Sequence, residues 1–456
     1  MSASRDLSDP QRPSWHFTAP RGWLNDPVGL GHHGGWHHVF YQYNPHAACW
    51  SMMHWGQART RDFTSWEDAP LALLPGTPHD REGCWSGSLV YEGGVPTLVY
   101  TGVSDPTHQA GSASVNVAPG VEGPDGSLHG FRAHPQAVLR WPRSGEVPGL
   151  TLTAWRDPTL RRVEGEDGRG EWRLVVGIGT EERGGGALLY AGEDLRTWRL
   201  LGALLLGEAG GEDPGEVWEC AQLLDLGEAA MLIASRMRGG GPDGTLAVTG
   251  TLRGDAFEVT RGEPLDHSPL FYAPQAYRAP GERLLLIGWV REVRPADIQL
   301  ASGWSGALSV PREIEVREGR VWQTPARELL TLRERAVCPG ELLPTRLDLD
   351  LRLPGGGSFV IEQDGHPLVR LEGNDGEVSI LTSSHVVTLP SPGASLRLLL
   401  DASVVEVFAD GRSATLRTAP EHRLCTLTAS GGATCRGWTL SPAFSQTPGE
   451  SDRPAD

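Results

Sequence analysis

The sequence predicts an all-β protein in which a five-bladed β-propeller precedes a β-sandwich. Gly (59 residues) and Pro (35 residues) are abundant in the 456-residue chain, a composition typical of many strands joined by turns. An aromatic-led segment also recurs five times at intervals of roughly 60 residues, a period expected for propeller blades. Each segment is expected to be the innermost strand of one blade. The five segments are Trp23-Leu24-Asn25-Asp26-Pro27, Trp85-Ser86-Gly87-Ser88, Trp155-Arg156-Asp157-Pro158, Trp218-Glu219-Cys220-Ala221 and Phe271-Tyr272-Ala273-Pro274.

Further strands are expected between these segments. A second repeat, at residues 62–66 and 194–198, predicts a turn that enters an outer strand. Residues 304–312 are expected to form either another strand of the last blade or a strand that closes the ring. The remaining apolar runs that predict strands are 98–100, 174–178, 231–234 and 284–290.

The predicted domain order is a tail, a propeller, a linker, a sandwich and a second tail. We expect an N-terminal tail over residues 1–14 and the propeller over residues 15–312. Residues 313–340 are predicted to be a linker with a helix at 325–336. Residues 341–444 predict a β-sandwich because short alternating strands follow one another with turns between them. These strands are expected at 346–353, 358–362, 378–381, 396–400 and 404–408. The polar residues 445–456 are expected to be disordered.

Composition excludes several functional classes. The formal net charge of −17 provides no basic footprint for nucleic acid, so no nucleic-acid partner is expected. All 40 basic residues are arginine, which excludes Schiff-base and phosphate-loop lysine chemistry. The first 20 residues have no apolar signal segment and no run could span a membrane, so we expect a cytoplasmic protein without a membrane partner. The six cysteines are scattered without metal-ligand spacing and are expected to be reduced and mostly buried. The oligomeric state is left open.

Three of the recurring segments contain a carboxylate, and the propeller geometry would bring these carboxylates to one channel mouth. They are Asp26, Asp157 and Glu219. Hydrolysis of a glycosidic bond with retention requires one ionised carboxylate as nucleophile and a separate protonated one as acid. Asp26 is expected to be the nucleophile because Asn25 can donate a hydrogen bond to it. Asp157 is expected to be held ionised by the adjacent Arg156 and to accept hydrogen bonds from sugar hydroxyls.

Glu219 is expected to be the general acid/base because its neighbours Trp218 and Cys220 suggest an apolar setting that favours the protonated form. Cys220 itself is expected to serve packing, since no basic residue adjoins it. Each of these dipeptides is weak on its own. Their recurrence at blade spacing beside aromatic residues, which stack on sugar rings, is the stronger signal.

Taken together, these motifs resemble glycoside hydrolase family 32, and the resemblance covers roughly residues 15–440. The matching segments are 23–29 (Trp-Leu-Asn-Asp-Pro-Val-Gly), 38–45, 55–66, 85–88, 156–158, 219–220, 271–275 and 400–408. The resemblance implies a five-bladed propeller with a β-sandwich, and retention at the fructosyl anomeric carbon without a metal or cofactor. It implies the same three catalytic roles for Asp26, Asp157 and Glu219. Residues implied to line the fructose subsite are Asn25, Gln42, Trp50, Trp85, Ser86, Arg156 and Tyr272.

Three residues depart from the family pattern: Val28, Gln57 and Ala221. They affect the expected substrate more than the expected activity. The leading hypothesis is release of fructose from sucrose or a related β-fructofuranoside. Alternatives with the same carboxylates are a sucrose-6-phosphate hydrolase, an exo-acting fructanase (levanase or inulinase) and a transfructosylase. A phosphorylated substrate would need basic residues at the pocket mouth, for which His32, His33 and His37 are candidates.

A different class, a non-catalytic carbohydrate-binding propeller, has no need of three carboxylates. In every case the expected partner is a small sugar. The segment 401–408 is expected to be strand structure that supports the contact between the two domains.

Overall fold

The computed structural model describes residues 5–107, 111–164, 170–207, 209–338 and 340–444. The predicted disordered segment 445–456 lies outside these residues, as do the first four residues of the predicted N-terminal tail. From Arg5 onward this tail is packed: the backbone N–H groups of Ser14, Trp15 and His16 all donate to the buried carboxylate of Asp401. The segment 5–14 is therefore part of the folded protein.

Five blades, each built around four antiparallel strands, form the propeller that the sequence predicts. The first sheet contains β1 (Gly22–His33), β2 (Trp36–Asn44), β3 (His54–Thr60) and β4 (Trp66–Leu73). The second contains β5 (Gly83–Glu92), β6 (Val95–Val103), β7 (Ala113–Pro119) and, after the hairpin β8 (Val121–Glu122) and β9 (Leu128–His129), β10 (Leu139–Arg140).

The third and fourth blades form one continuous sheet because a single pair, Gly179 and Val217, joins them. The third blade contains β11 (Leu152–Glu164), β12 (Gly170–Thr180), β13 (Gly184–Gly192) and β14 (Arg199–Leu206). The fourth contains β15 (Val217–Asp225), β16 (Ala230–Arg238), β17 (Gly241–Arg253) and β18 (Ala256–Pro264).

The fifth blade contains strands on both sides of a short helix. Its strands are β19 (Phe271–Ala279) and β20 (Arg283–Val290), then, after α1 (Ala296–Ser302), β21 (Trp304–Ser305) and β22 (Ala307–Leu308), the pair β23 (Arg312–Arg317) and β24 (Arg320–Pro325). β21 pairs in parallel with β1 of the first blade, whereas β22 pairs with β20. Both functions expected for residues 304–312 are therefore present, because this segment extends the last blade and also closes the ring.

The predicted strands and turns of the propeller are confirmed. The apolar runs lie within β6, β12, β16 and β20. In the repeated turn, Asp62 Oδ1 accepts hydrogen bonds from the backbone N–H groups two and three residues later, at 2.9 and 2.8 Å. Asp194 Oδ1 accepts the equivalent pair of bonds at the same distances. Both turns lead into the outermost strand of their blade.

The prediction of a helical linker over residues 313–340 is wrong. β23 and β24 belong to the fifth blade. Ile314 and Val321 are buried in the core of this blade, and the residues on either side of each along its strand are more exposed. The helix is a single 3-10 segment, Arg327–Leu332, and β25 (Arg333–Val337) already pairs with the last strand of the second domain. We therefore propose that the propeller ends near residue 325.

Two six-stranded antiparallel sheets form the predicted β-sandwich. After β25, its strands are β26 (Leu343–Pro344), β27 (Arg346–Arg352), β28 (Ser358–Gln363), β29 (His366–Asn374), β30 (Glu377–Thr382), β31 (Val386–Pro390), β32 (Ser395–Asp401), β33 (Val404–Ala409), β34 (Arg412–Arg417), β35 (Leu424–Ser430) and β36 (Thr434–Leu440). One sheet has the order β25-β36-β27-β32-β33-β34 and the other β26-β35-β28-β29-β30-β31. Alternate residues of both sheets face a shared core of Leu, Val, Ile and Phe.

A buried polar network joins the two domains. Arg312 of the propeller donates from Nη1 to Asp266 at 2.9 Å and from Nη2 to Glu406 of the sandwich at 2.6 Å. His16 lies between two carboxylates, with Nδ1 at 3.1 Å from Asp401 and Nε2 at 3.2 Å from Glu406. Burial opposes a charge on His16, but the two carboxylates outweigh it and raise its pKa. The segment 401–408 therefore supports the interface, as the sequence predicts.

Candidate active site

Each of the five inner strands has a β-bulge at the same level of the channel. At this point two residues on the inner strand oppose a single residue on the neighbouring strand. The extra residue breaks the regular alternation of side chains between the two faces of the sheet and changes the direction in which they point. The irregular pairs lie between Leu24 and Pro27, Cys84 and Gly87, Arg156 and Thr159, Glu219 and Gln222, and Tyr272 and Gln275.

The recurring aromatic residues take two different positions relative to these bulges. Trp155, Trp218 and Phe271 precede the bulge and are buried between blades as core. Trp23 also precedes its bulge but lines the channel mouth, whereas Trp85 lies within its bulge and lines the mouth as well. The sequence repeat therefore finds all five inner strands, although the aromatic residue of the second segment lies two positions further along relative to the bulge than in the other four.

The side chains at the bulges line one cavity of about 570 Å³, a volume within the usual range for small-molecule sites. Every predicted site residue lines this cavity except Ser86, which lies directly behind Asp26. The lining residues are Trp23, Asn25, Asp26, Gln42, Trp50, Trp85, Arg156, Asp157, Glu219, Met237, Gly240, Pro242, Tyr272, Trp289, Arg291 and Glu292.

Asp26 is held by side-chain donors on both carboxylate oxygens. Asn25 Nδ2 donates to Oδ1 at 2.9 Å, and Oδ2 accepts from Ser86 Oγ at 2.7 Å and from Gln42 Nε2 at 3.2 Å. The expected bond from Asn25 is thus present. Burial and the negative charge of Glu219 nevertheless outweigh these donors and raise the pKa of Asp26 to about 6. Asp26 is therefore mostly ionised at neutral pH and becomes protonated in mild acid.

Asp157 occupies a strained backbone position, with φ at 63°. Its Oδ2 accepts a hydrogen bond from the backbone N–H of Cys220 at 3.0 Å. The Cys220 thiol lies 3.8 Å from this oxygen and 3.9 Å from Asp26 Oδ2, so both aspartates adjoin the same sulfur atom. Burial and the charge of Glu219 raise the pKa of Asp157 to about 7, against the opposing effect of Arg156. The expectation that Arg156 keeps Asp157 fully ionised is not met.

Arg156 instead pairs with Glu219. Its Nη1 donates to Glu219 Oε1 at 3.0 Å, while the Tyr272 hydroxyl lies 2.7 Å from Oε2. The same hydroxyl is 3.0 Å from the carbonyl oxygen of Arg236. A protonated Glu219 can therefore donate to the Tyr272 oxygen while Tyr272 donates to this carbonyl.

The apolar setting predicted for Glu219 is wrong because neighbouring strand residues face opposite sides. Trp218 points into the blade core, where its Nε1 donates to the Pro214 carbonyl. The thiol of Cys220 is buried beside the aspartates, and this burial raises its pKa well above the usual range. Cys220 is thus a neutral group that packs between carboxylates.

Several cavity residues are not among the predicted ones. Trp289 is the register partner of Tyr272 and stands at the end of the second strand of its blade. Arg291 and Glu292 follow directly after this strand, and Met237 lies at the equivalent end of the fourth blade. These residues lie on or just after the strands that pair with the bulged inner strands. Finding them from the sequence would require the register between the paired strands.

Other candidates lie elsewhere. His32 and His33 end β1 and His37 is near the start of β2, and none of them lines the cavity. The His37 Nδ1 and the Tyr277 hydroxyl are 2.8 Å apart, and Tyr277 lines a separate cavity at the opposite end of the channel.

The three departures from the family pattern are all packing residues. Val28 and Ala221 are fully buried in cores between strands. Gln57 donates from Nε2 to the carbonyl of Leu128 at 3.0 Å, which ties the first blade to the hairpin of the second. None of these residues lines the cavity, so they do not contact a ligand bound there.

In the part of the chain that is described, no group of three or more His, Cys, Asp or Glu side chains could hold a metal ion. All six cysteines are free thiols. No helix among the described residues is long and apolar enough to cross a membrane.

Clustered carboxylates beside aromatic side chains in a sugar-sized cavity define a glycosidase type of site. Comparison with known proteins agrees with this class. The N-terminal domain of glycosyl hydrolases family 32 matches residues 16–325. The chain is 32% identical to raffinose invertase of Escherichia coli over 444 residues, covering 89% of this chain and 88% of the relative. It is 31% identical to sucrose-6-phosphate hydrolase of Klebsiella pneumoniae, covering 88% and 87%.

Among solved structures, a family 32 β-fructofuranosidase of Bombyx mori, a variant in complex with sucrose, superimposes with a TM-score of 0.80. The identity is 25%, with 95% of each chain covered. The protein belongs to glycosyl hydrolase family 32.

Proposed function

We propose that this protein is a β-fructofuranosidase that hydrolyses sucrose and releases fructose with retention of configuration. The observation that carries the proposal is the meeting of Asp26, Asp157 and Glu219 around one cavity. The names of the relatives, an invertase and a sucrose-6-phosphate hydrolase, and the sucrose complex of a similar structure support this substrate class.

In the first step Asp26 attacks the anomeric carbon of the fructosyl unit, and the bond from that carbon to the glucosyl oxygen breaks. Glu219 donates a proton to the departing oxygen, which leaves a fructosyl ester on Asp26. In the second step Glu219 takes a proton from water as the water attacks the ester, and free fructose leaves. The donors Asn25 and Ser86 hold the Asp26 carboxylate in place for this attack.

Asp157 accepts hydrogen bonds from fructosyl hydroxyls, and these bonds strengthen as positive charge develops on the ring. They also favour the ionised form of Asp157. Burial and the charge of Glu219 raise the pKa of Asp26 to about 6 and that of Asp157 to about 7, so hydroxyls that bind Asp157 would favour its ionised form near neutral pH.

Product analysis with sucrose tests the proposal. We expect equimolar glucose and fructose from the unaltered protein, and loss of nearly all turnover in Asp26→Ala and Glu219→Ala. Glu258→Gln, which changes an exposed carboxylate on β18, is the control and should retain full activity. Ample turnover in either active-site variant would contradict the assignment. Sucrose binding without any release of fructose would instead favour a carbohydrate-binding propeller.

A second candidate substrate is sucrose 6-phosphate, and Arg291 is the observation that favours it. This side chain lines the cavity, and its Nη1 is held by the carbonyls of Pro269 and Pro242, at 3.0 and 3.2 Å. Among the described residues Arg291 forms no ion pair, and the adjacent Glu292 pairs with Arg294 instead, so the charge of Arg291 is available to an anionic leaving group. Arg291→Gln should then reduce kcat/KM for sucrose 6-phosphate about tenfold or more and leave that for sucrose within about twofold. Equal effects on both substrates would exclude this role.

A further inference from the structure

Hydrogen bonds between neighbouring blades tie the bulges of the candidate site to one another. The backbone N–H of Asp157, on the third blade, donates to Thr101 Oγ1 of the second blade at 2.7 Å. The N–H of Cys220, on the fourth blade, donates to the carboxylate of Asp157 at 3.0 Å. The N–H of Ala273, on the fifth blade, donates to Ser235 Oγ of the fourth at 2.8 Å. The bulges of the third, fourth and fifth blades are thus each connected to the blade before them.

The same three donors have strained backbones. Asp157, Cys220 and Ala273 have φ angles of 63°, 51° and 45°, in the left-handed region that favours glycine. Such a conformation is unfavourable for a residue with a side chain and persists only when its surroundings hold it. The hydrogen bond from each backbone N–H to its acceptor helps to hold the residue in this conformation. Two of these three acceptors are hydroxyl groups, which no proposed catalytic step uses.

We propose that Thr101 and Ser235 are positioning residues that set the geometry of the catalytic carboxylates through these strained bulges. The proposal rests on the function proposed above. Thr101 is fully buried, does not line the cavity, and fixes the backbone of Asp157. Its hydroxyl therefore sets the distance of the Asp157 carboxylate from Asp26 and Glu219.

Ser235 acts on the other side of Glu219. It is the register partner of Glu219 in the fourth blade and is fully buried. Its Oγ accepts the N–H of Ala273, the residue after Tyr272, and the Tyr272 hydroxyl contacts Glu219 Oε2 at 2.7 Å. One serine thus links the backbone of Glu219 to the bulge that presents Tyr272 to it.

Conservative substitutions separate this role from packing. Thr101→Val keeps the shape of the side chain and removes the acceptor, whereas Thr101→Ser keeps the acceptor and removes a methyl group. Leaving a buried N–H without a partner costs about 1–3 kcal/mol, which corresponds to about fivefold to 150-fold if the loss falls on the transition state. The chain offers two matched controls, Thr97→Val and Thr245→Val.

Thr97 lies on the same strand as Thr101 and its hydroxyl contacts only its own turn, at the carbonyl of Val95. Thr245 is paired with Ser235 across the fourth blade, and its buried hydroxyl has no hydrogen-bond partner among the described residues. Both controls make the same kind of substitution in the same blades, at hydroxyls that form no hydrogen bond with an inner-strand bulge.

The experiment measures kcat, KM, the pH profile of kcat/KM and the thermal midpoint for all variants with sucrose. We expect Thr101→Val to lower kcat/KM about tenfold or more and to shift the acid limb of the profile, because Asp157 moves relative to the other carboxylates. Ser235→Ala should lower kcat by a similar factor and alter the pH profile, because it frees the bulge that presents Tyr272 to Glu219. Thr101→Ser should restore activity to within about threefold of the unaltered protein.

Two results would overturn the proposal. The first is that Thr101→Val and Ser235→Ala both keep the pH profile of the unaltered protein and lose no more kcat/KM than Thr97→Val and Thr245→Val. The other is a Thr101→Ser variant as impaired as Thr101→Val. If Thr101→Val does not fold, Ser235→Ala with its Thr245→Val control decides the question. Activity retained in Asp26→Asn and Glu219→Gln would instead refute the proposed function, so the two failures are distinguishable.

Discussion

Replacing Asp26 by asparagine should abolish activity and yet stabilise the folded protein at alkaline pH. The carboxylate of Asp26 is buried close to Glu219, and these two causes raise its pKa from 3.8 to about 6. The folded state therefore binds a proton more tightly than the unfolded state. For a carboxyl group with a raised pKa, stability is lost as the pH rises through the interval between these two values. Asparagine keeps the shape and removes the charge.

The magnitude follows from proton linkage. With pKa values of 3.8 unfolded and about 6 folded, the ionised Asp26 costs about 3 kcal/mol at pH 8 and about 1 kcal/mol at pH 4.5. The amide at position 26 can still accept from Ser86 and Gln42, but its NH₂ group then faces the NH₂ group of Asn25, which subtracts about 1 kcal/mol at any pH. The net gain in the free energy of unfolding is therefore about 2 kcal/mol at pH 8 and near zero at pH 4.5.

Urea unfolding, followed by the tryptophan fluorescence of the propeller, measures this difference at the two pH values. Glu258→Gln is the matched control, because its carboxylate is exposed on β18 and its substitution should give no comparable pH dependence. The reasoning is refuted if Asp26→Asn destabilises the protein at pH 8, or if its effect on the free energy of unfolding is the same at both pH values.

Three further predictions concern the site and the domain contact. Glu219→Gln should lower kcat for sucrose about 10²- to 10⁴-fold, the range for loss of a general acid, as measured by glucose release. The acid limb of kcat/KM should lie between about pH 6 and pH 7 rather than near pH 4, because Asp26 and Asp157 must both be ionised. An initial-rate profile from pH 4 to pH 9 measures it. Arg312→Leu should destabilise the protein by about 3–5 kcal/mol, since it leaves Asp266 and Glu406 buried with one cation fewer, which urea unfolding would detect.

Controls and contrary outcomes differ among these three. For Arg312→Leu the control is Arg317→Leu, whose ion pair is exposed and should contribute less than about 1 kcal/mol. Equal destabilisation by both variants would show that the buried network contributes no more to the free energy of unfolding than an exposed ion pair. A Glu219→Gln variant with unchanged kcat, or an acid limb near pH 4, would contradict the roles assigned to the two carboxylates.

Sequence reasoning located the inner strands and the candidate site because both depend on local patterns. An aromatic residue one to three positions before Asp26, Asp157 or Glu219 marks an inner strand, and the recurrence of such segments indicates how many blades there are. The structure confirms the propeller and the sandwich. It also brings the predicted cavity residues together.

What the sequence missed depends on register and on the direction of side chains. Arg156 adjoins Asp157 in the chain, but Asp157 lies in the bulge that begins after Arg156, and the guanidinium pairs with Glu219 instead. Thr101 and Ser235 lie on second strands, and their contacts with the bulges can be found only when the register between blades is known. A search for alternating apolar and polar residues does not detect a bulge, because the bulge breaks this alternation at the functional position.

The same limit explains the error at residues 313–340. Ile314 and Val321 belong to strands that are polar on one face, and this alternation is short enough to be mistaken for a connecting segment. Pairing with β20, about 25 residues earlier in the chain, is what makes them strands.

The most direct test of the central claim is the configuration of the product when methanol replaces water as the acceptor. If Asp26 forms a fructosyl ester that a second nucleophile opens from the opposite side, sucrose in dilute methanol should yield methyl β-D-fructofuranoside, identified by its NMR spectrum. Formation of the α-anomer as the first product would contradict a covalent intermediate on Asp26 and the division of tasks among the three carboxylates.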